Sequence, residues 1–495
     1  MRKIIMFLIT ITLFFVIYPE NTKLYCSVLE ANDLYSISEL LLILTEKESK
    51  KWIEYNTDSF SEIEYVDIED LTITYNQNEE LKIVDNIDGF KRILKLTLKY
   101  EGKENLSKAI NLLNKRPEIF YVGPNYCVNN LYDDVDNSVF SRNSNFEQWG
   151  YDTIQLDQSL GIIRQYDASE VLVGVIDCGV DEHIDLTNSI DILISKSFSD
   201  DNDDPLIDSL NGHGTMIAGI IAGKPYGDFG FYGICPTAEI ASIKYTSYSF
   251  NYVDDIIKCI THATLNNIRI LNMSFCIDYY DESLKTSIDN YPGLAVCGVG
   301  NSGKNIGIET NMVYPACYDL DNIITVGSLD VDLLPYSGAN YGINEVDIFA
   351  PGVQIVSTST NNSYSCQTAN SFAVPFVTGV AAQVVSIEQY TIYNFFDTIY
   401  LKNLIIDSAT QTSSLANQCV SGGYLNAYQT ILNAFSSQFS YEAAGYTYHK
   451  VIPKYSFDYL EEHEWNLLSR NYYVYSPYAI PIIGRQCVKC GVSII

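Results

Sequence analysis

Between Trp149 and about residue 434, short runs of β-branched and aliphatic residues alternate with helical stretches, and this alternation restricts the fold more than any other feature of the chain. The runs occupy residues 171–176, 240–245, 268–273, 294–299 and 323–326. Strands interleaved with helices predict βαβ units, hence an α/β fold built on a doubly wound parallel sheet flanked by helices. In such a sheet the ligand site lies outside the carboxyl ends of the strands.

The 495 residues leave room for more than this one region. Arg2 and Lys3 precede an apolar run over residues 4–18, shorter than the ~20 residues of a membrane span and of secretory-signal length, so residues 1–26 read as a signal peptide. An uncleaved N-terminal anchor is the rival reading. Residues 33–128 read as a small α+β unit. Runs at 40–45 and 93–100 are strand-like, Leu106, Ala109, Ile110 and Leu113 form a helical apolar stripe ended by Pro117, and residues 118–122 make a further strand. Residues 129–147, rich in Asn, Asp and Ser, read as a linker. Residues 148–435 form the α/β region, and the Tyr-rich residues 436–495 receive no fold.

The formal net charge of −31 argues against a general phosphate-binding surface, so no nucleic-acid partner is expected. The acidity belongs to residues 131–435, where 36 acidic side chains face 10 basic ones. Twelve cysteines behind a signal suit an oxidising compartment and predict disulfides of undetermined pairing. Cys487 and Cys490 form a lone C-x-x-C, which reads as a local bridge or an ordinary exposed pair, since a zinc site needs two more ligands. Asn105 and Asn361 are ordinary glycosylation sequons.

Three segments carry chemistry. His213 stands between glycines in Asn211-Gly212-His213-Gly214-Thr215, directly before an apolar helix. The glycines let backbone or substrate approach the ring, and imidazole is the usual proton shuttle near neutrality. Asp177 ends the strand at 171–176, where a carboxylate is costly unless it has a partner, such as an imidazole to orient. Ser371, in Ala369-Asn370-Ser371-Phe372-Ala373, leads into a helix apolar on nearly all faces. The unpaired N–H groups and positive dipole end of that helix suit an oxyanion, although a plain Ser/Asn cap would look the same.

Taken together, Asp, His and Ser in this order, each at the end of an element, resemble the subtilisin-like serine proteases. The likeness runs through Val175-Ile176-Asp177-x-Gly179-Val180, Gly212-His213-Gly214-Thr215-x-x-Ala218-Gly219 and Ser371-x-Ala373-x-Pro375-x-Val377-x-Gly379-x-Ala381-Ala382, and closes with Gly423-Tyr424-Leu425-Asn426-Ala427. The resemblance implies Ser371 as nucleophile, His213 as general base and then acid, Asp177 as the group that holds the imidazole, and Asn301 as side-chain oxyanion donor. The same glycines, Gly298-Val299-Gly300-Asn301-Ser302-Gly303, satisfy a dinucleotide fingerprint, but the polar, irregular residues after them open no helix, so no organic cofactor is expected.

For substrate binding the resemblance implies one wall from Ser274, Phe275 and Cys276 and another from Gly298, Val299 and Gly300, with Tyr314 and Ala316. Cys276 stands where glycine is usual, which either narrows the pocket mouth or marks a disulfide. Cys178 replaces the usual Thr or Ser, Phe376 a common histidine, and Ala369-Asn370 the usual Gly-Thr. Residues 119–125 resemble the last strand of the family's inhibitory prosegment, which implies that residues 33–128 form a ferredoxin-like prodomain, an intramolecular inhibitor released by self-cleavage in the linker. Asp200, Asp201, Asp203 and Asp204 offer hard oxygens to a structural Ca²⁺, or form a solvated loop. The expectation is a secreted zymogen-type serine endopeptidase acting on polypeptides, with no stable membrane insertion and with basic residues favoured in its substrates. The alternative is a catalytically inactive relative serving as a binding module.

Overall fold

The computed structural model describes residues 35–51, 60, 62–75, 81–83, 89–128, 138–140, 148–164, 168–199, 204–225, 231–246, 251–388 and 397–437, with five short strands beyond them. The expected signal, most of the linker, Asp200, Asp201, Asp203 and nearly all of the tail lie outside these residues. The chain divides into two compact units, one of residues up to Asp70 with Lys91–Asn125, the other of Leu71–Phe90 with the chain from Tyr126 onward.

The first unit is built on β1 (Tyr35–Leu44), β2 (Tyr65–Asp70), β3 (Ile93–Leu98), α1 (Lys103–Leu113) and most of β4 (Ile119–Val128), whose last three residues belong to the second unit. The strands lie in the order β4-β1-β3-β2, with β3 antiparallel to both β1 and β2. Leu40 and Leu42 face Leu96 and Leu94 across β1 and β3, and all four are buried. Helix α1 buries Leu106, Ala109, Ile110 and Leu113, the stripe that the 3.6-residue period predicts.

The second unit follows the alternation in the sequence: β5 (Val171–Asp177), α2 (His213–Ala222), β6 (Ala238–Lys244), α3 (Val253–Leu265), β7 (Ile270–Met273), α4 (Glu282–Asp289), β8 (Leu294–Gly298), β9 (Ile323–Leu329) and β10 (Ile348–Pro351). These strands form one parallel sheet in the order β10-β9-β8-β7-β5-β6. Short edge strands extend it, Lys196–Ser197 beside β6 and Gly423–Tyr424 with Thr410–Gln411 beyond β10, the last of them antiparallel. A hairpin of β11 (Ile355–Ser359) and β12 (Ser363–Gln367) packs on α2, where Ser357 and Thr358 donate to the carbonyls of Met216 and Thr215.

Helix α5 (Val374–Glu388) fills the centre, as its apolar faces predict. The segment Asn370–Ile387 has the length and hydropathy of a membrane span, yet all of it is buried inside the protein. Ser138–Phe140, inside the expected linker, pairs antiparallel with β12, and Cys127 and Val128 pair with Tyr252 and Asn251.

The cysteines require a correction. Of those described, Cys127, Cys178, Cys235, Cys259, Cys276, Cys297, Cys317 and Cys419 are free thiols, so the expected disulfides are not formed among these eight. Seven are buried, where a free thiol behaves as a small apolar side chain.

Candidate active site

The carboxyl ends of three neighbouring strands converge on one place. Asp177 is the last residue of β5, Ser274 follows β7, and Asn301 lies just beyond β8. His213 opens α2, and Ser371 sits in the single turn Asn370–Phe372 that leads into α5.

His213 Nδ1 lies 2.8 Å from Asp177 Oδ1, with the carboxylate almost wholly buried. The same oxygen accepts the backbone N–H of Cys178 at 2.8 Å. Burial alone would lower the imidazole pKa, but the charge of Asp177, its hydrogen bond and the charge of Asp208 outweigh it and hold His213 above its ordinary 6.5. The ring of Phe372 packs against the imidazole, centroids 5.5 Å apart.

Ser371 is buried, and its Oγ donates to the carbonyl of Ser274 at 3.2 Å, while Ser274 Oγ donates back to the Ser371 carbonyl at 3.0 Å. Behind this pair, Asn272 Nδ2 donates to Ser274 Oγ and Thr378 Oγ1 to Asn272 Oδ1, tying the serine turn to β7 and α5. Asn301 Oδ1 accepts the backbone N–H of Asn370 at 2.6 Å, which commits that oxygen and leaves the Nδ2 amide as a donor.

The glycines around His213 have separate reasons. Gly212 holds φ +92°, a left-handed conformation that side chains rarely adopt. At Gly214 a Cβ would come within 2.1 Å of the Gly179 carbonyl oxygen, so the helix start presses directly on the loop after Asp177.

The departures from the family pattern settle into packing. Ala369 has φ −166°, extended backbone open to any residue, so glycine is not needed there. Phe376 is buried near Tyr151 in the core. Cys178 is buried, its thiol donates to Asp208 Oδ1 at 3.3 Å, and burial, then the charges of Asp208 and Asp177, push its pKa well above the ordinary value.

Three polar residues shape the site beyond what sequence reading assigns: it passes over Asp208 and Asn340, and treats Asn370 only as a departure from the family pattern. Asp208 gathers five donors: Leu210 N, Gly212 N and Cys178 Sγ at Oδ1, and Thr215 N and Oγ1 at Oδ2. An Asp five positions before the histidine, bonding to its own loop, is a recognisable turn signal. Asn370 accepts Val299 N at 2.7 Å and Gly300 N at 3.0 Å, and donates to the Val326 carbonyl and Ser328 Oγ. Asn340 accepts Ser302 N and Lys304 N and donates to the Val299 carbonyl. Both partnerships join segments distant in sequence.

Of the residues read as substrate walls, Cys276, Val299 and Ala316 share one buried apolar cluster, and Ile277 and Tyr314 exchange backbone hydrogen bonds of 2.7 and 2.8 Å. Burial, then the charge of Asp278, pushes the Cys276 thiol up to about 12. Of the four carboxylates offered to Ca²⁺, only Asp204 lies among the described residues, where its Oδ1 accepts Leu206 N.

Known proteins resemble this chain over the same region. The model of the subtilase family matches residues 168–425. A thermophilic serine proteinase of Bacillus sp. (strain AK1) is 30% identical over 287 residues, 57% of this chain and 67% of that protein. The major intracellular serine protease of Bacillus subtilis (strain 168) is 34% identical over 230 residues, 44% of this chain and 69% of its own length. Subtilisin-like protease 3 of Plasmodium falciparum (isolate 3D7) is 31% identical over 243 residues, and this chain spans only 31% of it. A solved structure, described as the structural basis of subtilase cytotoxin SubAB assembly, matches with a TM-score of 0.50 at 24% identity, over 59% of this chain and 98% of that one, and so shares the fold.

Proposed function

The chain belongs to the subtilase family of serine proteases, and from that premise we propose that it is a secreted zymogen-type endopeptidase that cuts peptide bonds through an acyl-enzyme on Ser371. The observation that carries the mechanism is the 2.8 Å contact of His213 Nδ1 with the buried Asp177 carboxylate. It gives Nδ1 the proton and leaves Nε2 as the base.

In this reading Ser371 Oγ leaves the Ser274 carbonyl, gives its proton to His213 Nε2 and attacks the scissile carbonyl carbon. The developing oxyanion takes hydrogen bonds from Asn301 Nδ2 and from backbone N–H at the start of α5, where the helix dipole adds positive potential. The tetrahedral intermediate collapses with the proton passing from His213 to the leaving amine. Water then gives a proton to the same imidazole and attacks the acyl carbon, and the imidazolium returns that proton to Ser371 Oγ as the acyl bond breaks. Asp177 steadies the imidazolium at both stages.

The first unit acts as the inhibitory prodomain. Its strand order β4-β1-β3-β2 with α1 supports a ferredoxin-like prosegment. Just after it, Cys127 and Val128 pair antiparallel with Tyr252 and Asn251. Basic Arg2 and Lys3 before an apolar run support export. The acidic stretch before Asp204 offers the carboxylate oxygens that Ca²⁺ takes, as a structural ion.

Expression of the wild type beside Ser371→Ala tests this. The wild type is expected to lose its prosegment mass and to label with a fluorophosphonate, and the variant to do neither. A wild type that stays at precursor mass and does not label would favour the inactive binding module; identical cutting of both forms would assign the processing to another protease.

A further inference from the structure

Two walls flank the serine turn, and a thiol lies between them. Ser274, on the first wall, exchanges hydrogen bonds of 3.2 and 3.0 Å with Ser371. Val299 and Gly300, on the second, donate to Asn370 Oδ1, next to the nucleophile in sequence. A Cβ placed on Gly300 would stand 3.0 Å from Cys276 Sγ, so the Cys276 side chain crosses from the first wall toward the second.

Neither wall is free to retreat. Ile277 is bridged to Tyr314 in both directions on one side, and Asn340 clamps Val299 O, Ser302 N and Lys304 N on the other. Behind the thiol, Val299, Ile306, Val313 and Ala316 pack with Cys276 in one buried apolar cluster. A close-packed lining of this kind resists widening by even a methylene.

We propose that Cys276 is a specificity-determining residue, whose side chain limits the substrate residue on the acyl side of the scissile bond to small uncharged types such as Gly, Ala and Ser. This rests on the serine-endopeptidase reading of the site. It concerns that one residue only and leaves a preference for basic residues elsewhere in the substrate unaffected.

The test uses the processed wild-type protein and fluorogenic peptides that differ only at that residue, carrying Ala, Ser, Leu, Phe or Lys. Ser371 is first titrated with a small fluorophosphonate, which needs no occupied side-chain pocket. The expected result is full labelling with kcat/KM for Ala and Ser roughly tenfold or more above that for Leu, Phe and Lys. Cys276→Gly is expected to raise Leu and Phe turnover by a comparable factor, and Cys276→Ala to fall between. Labelled enzyme that cuts Leu or Phe as well as Ala overturns the proposal even if no variant folds. So does an unchanged profile in a labelled Cys276→Gly protein. Failure of the wild type to label would overturn the endopeptidase reading and this proposal with it.

Discussion

Asn301 and Asn370 are locked together across the active site: Asn301 Oδ1 accepts the Asn370 backbone N–H at 2.6 Å, while the Asn370 side chain accepts Val299 N and Gly300 N, just before Asn301. The loop of Asn301 and the serine turn therefore hold each other in place. Asn370→Ala would orphan two buried N–H groups and remove two donated bonds. An unsatisfied buried group costs ~1–3 kcal/mol, so we expect a loss of about 2–4 kcal/mol by denaturant titration, together with a fall in kcat. Unchanged stability would show that the asparagine is dispensable as a brace.

Asn301→Ala removes the side-chain donor and little of the binding surface. The expected outcome is a fall in kcat of roughly 10² to 10³ with KM nearly constant, a magnitude carried over from subtilisin rather than obtained from these distances. Steady-state kinetics on one peptide decides it. A drop confined to KM would place Asn301 in ground-state binding instead.

Why some of this was legible in the sequence and some was not follows from the range of the interactions. Asp177, His213 and Ser371 each sit at the end of an apolar element, so the pattern that builds the core also marks them. Strand β2, Tyr65–Asp70, is largely acidic and has no fully buried residue, and its exposed face hid it from a hydrophobic reading. Asn340 and Asn370 act on backbone groups 36 to 71 positions away, and nothing local in their segments reports that. Count and compartment speak to pairing, whereas seven of the nine described cysteines are buried, where a thiol packs as a small apolar side chain.

Asp208 should tune the base as well as position it. In the proposed mechanism His213 acts as a base only when neutral, so kcat/KM should be lost as pH falls through its pKa, which lies above 6.5. The negative charge of Asp208 helps to raise it, alongside Asp177. Asp208→Asn is therefore expected to move the acid limb of the pH profile to lower pH. It also breaks bonds to the loop that carries the imidazole, so the plateau should drop by roughly tenfold to a hundredfold. A lower plateau with an unmoved limb would confine Asp208 to a structural role.

Asp281 provides a separate pH test, away from the chemistry. It caps α4 by accepting Leu284 N at 2.8 Å, while its other carboxylate oxygen is buried with no hydrogen-bond partner within bonding distance among the described residues. Burial pushes its pKa up to about 7 from an ordinary 3.8. A carboxyl whose folded pKa is raised binds its proton more tightly in the native state, so the native state loses stability as pH rises from about 4 to about 7. Over that window the loss amounts to a few kcal/mol at most, since each tenfold gain in proton affinity is worth ~1.4 kcal/mol. Asn keeps the cap oxygen and cannot ionise. Thermal unfolding of wild type and Asp281→Asn at pH 4 and pH 8 should show the Tm difference moving in favour of the variant at the higher pH. A difference independent of pH would mean that the carboxylate is solvated or paired when charged.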